Sequence, residues 1–154
     1  FQDNNLFPHL TVLQNVALAL GSRLNPTRDI QNQVQDMLAR VGLEDLATRK
    51  PAALSGGQQS RAALARALLQ DRVIMLMDEP FSALGPGMKA EMLDLSVELA
   101  QAVGRTVVMV THDPADAARV ADAVIGVVAG KAWEPIETAR FLNDPPAAFI
   151  DYLG

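Results

Sequence analysis

Two apolar five-residue runs constrain this chain more than any other feature. Val73-Ile-Met-Leu-Met77 is bounded by charge on both sides, and Thr106-Val-Val-Met-Val110 comes later in the chain. Short apolar runs without polar alternation read as strands covered on both faces, as in a parallel sheet. Between them, Pro86 to Val103 carries Met88, Met92, Leu95 and Leu99 on one helical stripe, and Gly104 ends it. Strand, helix, strand in that order is a crossover unit, the connection that parallel strands require. Val124 to Val128 reads as a third strand, with a turn at Gly130-Lys131.

The first half of the chain is helical by its spacing. Thr11 is placed to cap TVLQNVALAL, whose Val12, Val16 and Leu20 share a face, and Gly21-Ser22 breaks that run. After the loop Asn25-Pro26-Thr27, residues Ile30, Val34, Met37, Leu38 and Val41 follow helical spacing, and Gly42 stops them. Residues 43–50 form a short polar helix or turn before Pro51. SRAALARALLQ is rich in strong helix formers. Beyond the second strand, Asp113-Pro114 is a cap followed by a first-turn proline. Two short helical segments are expected around Ile136–Leu142 and Pro146–Tyr152. The expectation is an α/β chain, with a helical subdomain over residues 1–70 and a parallel-sheet part over 71–154.

Composition removes several classes of function. The net charge of −5 argues against a broad basic surface for nucleic acid. With no cysteine there is no disulfide and no Cys-based zinc site. The opening FQDNNLFPHL lacks the charged-then-apolar pattern of a signal sequence. The longest apolar run, Ala121 to Ala129, is interrupted by Asp122 and is too short to span a bilayer. A role at a membrane would be that of a peripheral subunit. The chain begins with Phe1-Gln2, as if in the middle of a loop, so it is expected to be a fragment.

Three short segments carry chemistry. In Leu54-Ser-Gly-Gly-Gln58, Ser55 offers a hydroxyl, Gly56 and Gly57 let backbone N–H groups approach an anion, and a helix N-terminus follows. By itself this is equally a Ser-capped helix start. Asp78-Glu79 stands directly after the first apolar run, where ligands of open α/β sheets bind. One such carboxylate can hold magnesium and the next can polarise a water. By itself the pair is equally a solvated strand end. Thr111-His112-Asp113 ends the second run in the same way, and an imidazole there can donate to a phosphate oxygen. His9, the only other histidine, reads as loop surface beside Pro8.

Taken in order, LSGGQ, an Ala-rich helix, an apolar strand ending in DEP, SAL, and a strand ending in TH resemble the ATP-binding subunits of ABC transporters. The matching features are the signature loop, Walker B, the D-loop and the switch histidine. Gln2 in FQDNNLFPHLTVLQNV stands where that family has its Q-loop glutamine. The resemblance covers essentially all 154 residues. It implies a partial P-loop NTPase core of RecA-like type with an α-helical signature subdomain. It also implies ATP and Mg2+ as cofactors, and a dimer in which ATP lies between two head-to-tail subunits. On that pattern Ser55, Gly56, Gly57 and Gln58 contact ATP held by the partner subunit. Asp78 and Gln2 serve the magnesium, Glu79 is the general base, and His112 and Gln2 complete the catalytic set. Phe7 and Leu10 would lie near the groove that receives a helix of a membrane permease. The subunit would be cytoplasmic, on the inner face of the membrane, and linked only indirectly to a solute-binding protein.

Three departures qualify the resemblance. No G-x-x-x-x-G-K-[ST] loop occurs. The nearest approach, Gly126 to Lys131, is one residue short, lacks a hydroxyl after Lys131, and leads into a turn. Gly85 replaces the aspartate usual in SALD, and Ser60 stands where glutamine is common. The missing phosphate loop fits a missing N-terminal part, so the chain alone is expected to be inactive. Losing that strand would orphan backbone groups at about 1–3 kcal/mol each, against about 5–15 kcal/mol for a whole domain. The isolated chain is therefore expected to be unstable or to aggregate. Two alternatives remain at this stage. One is a catalytically inactive regulatory module of ABC type. The other is a non-transport ABC ATPase of DNA maintenance, which the acidic charge and the compact stretch from Gln2 to Ser55 disfavour.

Overall fold

The computed structural model describes residues 6–21 and 25–150. The chain divides into two compact units, Phe1–Met109 and Val110–Gly154. In the first, helices α1 (Val12–Ala17), α2 (Arg28–Arg40) and α3 (Gly56–Leu69) lead to strand β1 (Ile74–Asp78), helix α4 (Pro86–Ala102) and strand β2 (Thr106–Val110). Short 3-10 turns occupy Leu18–Leu20, Glu44–Leu46 and Pro51–Ala53.

The helix starts follow from side-chain caps. Thr11 Oγ1 accepts from the Gln14 N–H at 3.2 Å, and Gln14 Oε1 accepts from the Thr11 N–H at 2.9 Å. This reciprocal pair satisfies two donors that a helix start otherwise leaves bare. Thr27 caps α2 in the simpler way, accepting from the Ile30 N–H. Helix α2 stops at Gly42, whose φ of +68° is a left-handed conformation that glycine adopts without strain. The Leu43 N–H then donates to Leu38 O at 2.8 Å and the Gly42 N–H to Ala39 O at 3.0 Å. Those two bonds make a Schellman stop.

Helix α1 packs on α2 and α3, and α3 packs on α4. Val12, Val16, Val34, Leu38 and Met92 are fully buried there. Each contributes about 1.5–3 kcal/mol by leaving water. One buried polar side chain organises the entry to α1. Asn15 Oδ1 accepts from the Phe7 N–H at 2.7 Å, and its Nδ2 donates to the carbonyls of Phe7, Leu10 and Thr11 at 3.0–3.3 Å. Phe7 and His9 stay exposed on that loop, their rings edge-on at 5.9 Å.

Strands β1 and β2 pair across the α4 crossover, and the Thr106 N–H donates to Val73 O at 3.0 Å. The sequence led to the expectation of cover on both faces, and the strands alternate instead. Met75 is buried, whereas its strand neighbours Ile74 and Leu76 are 53% and 76% exposed, and Val108 and Val110 are also exposed. The physical reason is that, among the described residues, this sheet has only two strands.

The second unit contains α5 (Pro114–Val120), β3 (Ala123–Val124), β4 (Val127–Val128), β5 (Lys131–Ala132), β6 (Ile136–Glu137) and α6 (Thr138–Asn143). Here the expected single strand Val124–Val128 is two strands with different partners. β3 pairs antiparallel with β6, and β4 pairs antiparallel with β5. Gly126 lies between them, seated under Phe149, where an added Cβ would lie 2.2 Å from the ring. The β4–β5 hairpin turns through Ala129 and Gly130, at φ +49° and +74°. Both signs are those of the tight turn that suits twisted strands. The expected helix from Ile136 begins instead as strand β6, and Glu137 then caps α6 by accepting from the Arg140 N–H. Phe149 sits in a 3-10 turn, Ala147–Phe149, with Phe141 at 5.2 Å and Trp133 at 5.6 Å. Tyr152, the end of the last expected helical segment, lies outside the described residues. Among the described residues, no helix is long and apolar enough to cross a membrane.

Candidate functional site

Ser55 is the N-cap of α3 and is exposed. Its Oγ accepts from the Gln58 N–H at 3.3 Å, and Gln58 Oε1 accepts from the Ser55 N–H at 2.9 Å. A serine hydroxyl that accepts once still has its proton to donate. The cap therefore fixes Ser55 at the positive end of a 14-residue helix and leaves its proton available.

The two glycines of this segment differ. Gly56 is exposed, with Leu84 Cδ2 4.0 Å from where a Cβ would stand. Gly57 is buried, and an added Cβ would lie 2.2 Å from Met88 Sδ and 3.1 Å from its Cε. Leu84 and Met88 flank the Gly85-Pro86 start of α4. So the fold brings the signature segment together with the segment that follows Glu79. This role of Met88 escaped the sequence reading, which placed Met88 only on one apolar stripe of α4. It is in fact 44% exposed. Further along α3, Arg61 donates to Val41 O at 3.2 Å and pairs with Glu91, tying the end of α2 and the flank of α4 to α3.

Asp78 is the last residue of β1 and is exposed. Glu79 is half-buried and has φ +46°. A left-handed conformation is uncommon for a residue with a side chain, costs about 1–3 kcal/mol, and gathers at functional sites. The strand therefore ends in a forced change of direction at the expected general base. The turn is held by Glu79 O, which accepts from the Ser82 N–H at 3.3 Å and from Ser82 Oγ at 3.2 Å. Phe81 anchors it in the core.

No cluster of three or more metal-binding side chains occurs among the described residues. One exposed carboxylate, Asp78, still fits magnesium of the kind held mainly by phosphate oxygens and water.

His112 belongs to the second unit and is exposed. Its neighbours Thr111 and Asp113 form the turn before α5. Asp113 Oδ1 caps the helix by accepting from the Ala115 N–H at 3.0 Å. Thr111 Oγ1 accepts from the Asp113 N–H at 3.1 Å and donates to Asp116 Oδ2 at 2.6 Å. Asp116 also escaped the sequence reading. Its signal was a second acid one turn into a helix that Asp113 already caps. Gln2 lies outside the described residues.

With this arrangement in view, the comparisons with known proteins are informative. A model of the ABC transporter family matches residues 1–82. All 154 residues align at 54% identity with the Thiamine import ATP-binding protein ThiQ of Ruegeria sp., over 67% of that protein. The protein of the same name from Cereibacter sphaeroides is 53% identical over the whole chain and 67% of its own length. That of Rhizobium meliloti is 43% identical over the whole chain and 65% of its own length. The chain thus spans about two thirds of these relatives. Signature segment, strand-end acids and overall similarity agree, and the chain belongs to the ABC transporter family, among its ATP-binding proteins.

Proposed function

We propose that this chain provides the signature segment and the water-activating groups of an ATPase that powers thiamine uptake. The observation that carries the reading is Ser55, capped, exposed and at the positive end of α3, on a segment seated against the turn that follows Glu79. The thiamine assignment draws on the relatives' names.

ATP is the substrate, held by a second copy of the subunit. Ser55 donates its hydroxyl proton to a terminal phosphate oxygen, and the N–H groups of Gly56 and Gly57 face the same charge. Gln58 holds Ser55 in place and borders the nucleotide. Asp78 would hold magnesium, which when bound would neutralise phosphate charge. Glu79, at the sharp backbone turn that ends β1, takes the proton of the attacking water. His112 donates to the terminal phosphate, and Gln2 would serve the magnesium and the attacking water. The Lys-bearing phosphate loop comes from outside these 154 residues, so the chain by itself turns over no ATP. Hydrolysis opens the dimer, and a membrane permease bound near Phe7 and Leu10 receives the motion. The subunit works on the cytoplasmic face of the membrane, and a solute-binding protein delivers thiamine to the permease.

The test is a chimera in which these 154 residues replace the matching segment of the Ruegeria relative. It is expressed with that relative's own permease in a strain that lacks thiamine import. Uptake of labelled thiamine is expected, and Glu79→Gln should abolish it. Uptake that survives Glu79→Gln, or a folded chimera that hydrolyses ATP without moving thiamine, overturns the reading.

A further inference from the structure

We propose that Asp116 is a positioning residue for ATP hydrolysis, holding the turn that presents His112. This rests on the reading of His112 as a phosphate contact. Asp116 is the only charged residue in the buried set of the described residues, at 6% exposed. A buried carboxylate is costly unless a partner repays the lost water. Helix capping does not account for it, because Asp113 already accepts from the Ala115 N–H. The carboxylate instead faces Thr111. A carboxylate accepts, so the single Thr111 hydroxyl proton goes to Asp116 Oδ2 at 2.6 Å. That orientation leaves a Thr111 lone pair for the Asp113 N–H at 3.1 Å. The result is a one-directional chain from the Asp113 N–H through Thr111 Oγ1 to Asp116. It spans His112, whose backbone lies between the two pinned residues. The Asp116 N–H closes the turn from the other side by donating to Asp113 O at 3.1 Å. The backbone that carries the imidazole is therefore held by a buried acid four residues away in sequence.

The experiment uses the same chimera, with ATP turnover and an NMR signal of the His112 imidazole, assigned by its loss in His112→Ala. Asp116→Ala and Thr111→Val each break the chain from a different end. Each is expected to lower kcat by about 10- to 100-fold, the range that a small misplacement produces. KM for ATP should change far less than kcat, since most contacts to the bound nucleotide come from other residues. Thr111→Ser keeps the hydroxyl and recovers most of the rate. In a His112→Ala background, neither substitution lowers the residual turnover further. A purely structural role predicts the same fractional loss in both backgrounds, and that result overturns the proposal. If the chimera hydrolyses no ATP, or His112→Ala is without effect, the functional reading fails instead. The NMR arm still decides the inference: Asp116→Ala must shift or broaden the His112 signal, and an unmoved signal refutes it.

Discussion

Replacing Gly57 with alanine tests whether the second signature glycine is small because of Met88. The added Cβ would stand 2.2 Å from Met88 Sδ, 3.1 Å from its Cε and 3.5 Å from its Cγ. No Cβ is tolerated at the first of these distances, so Met88 must swing away. Overpacking of this kind costs about 1–3 kcal/mol. Met88 is 44% exposed and flexible, which argues for the lower end. Alanine also gains about 0.5–1 kcal/mol over glycine within a helix. The net expectation for Gly57→Ala is therefore small, from no change to a loss of about 0.5 kcal/mol. In a Met88→Ala background the clash is gone and only the helix gain remains, so the same change should stabilise by about 0.5 kcal/mol. Equilibrium urea unfolding of the chimera in a four-variant cycle measures the difference. Equal effects of Gly57→Ala in both backgrounds would refute the packing argument. Recovery of stability without recovery of ATP turnover would separate packing against Met88 from close approach to phosphate.

Other perturbations have calculable outcomes. Asn15→Ala removes the partner of the Phe7 N–H and of three carbonyls, one bond of which is fully buried. A loss of about 2–4 kcal/mol is expected in urea unfolding, and a loss below about 1 kcal/mol would contradict the network. Gly126→Ala drives a Cβ to 2.2 Å from Phe149, whose ring is held by Trp133 and Phe141 and cannot swing as Met88 can. Destabilisation of about 2–3 kcal/mol is expected, with no rescue by Val127→Ala. The 154-residue chain by itself should self-associate through Val73, Leu76 and Val108. A sharp, reversible melt of a monomer at micromolar concentration would count against that.

The sequence was most legible where local chemistry decides the structure. Thr11, Ser55 and Asp113 cap helices as their positions suggest, because a hydroxyl or carboxylate beside bare N–H groups needs nothing distant. The run Thr106–Val110 is a strand over the span read from it. Legibility ended where tertiary contacts take over. Val124 to Val128 has the composition of one strand, yet Phe149, more than twenty residues on, claims the space at Gly126. Ile136-Glu137 pairs with Val124-Ala123 before the chain turns helical, and only the partner reveals that. At the candidate site, residue types were readable and the devices that hold them were not. The left-handed backbone at Glu79, the Met88 seat under Gly57 and the Asp116 support behind His112 all depend on three-dimensional neighbours.

The central claim is that Ser55 completes a nucleotide site belonging to another copy of the subunit. Mixing two inactive chimeras tests it most directly, one carrying Ser55→Arg and the other Glu79→Gln. In a mixed dimer, a site shared between subunits pairs the intact Glu79 of one copy with the intact Ser55 of the other. The account predicts that turnover absent from either variant returns on mixing. Mixed dimers that form, as judged by differently tagged subunits, and stay inactive would contradict it.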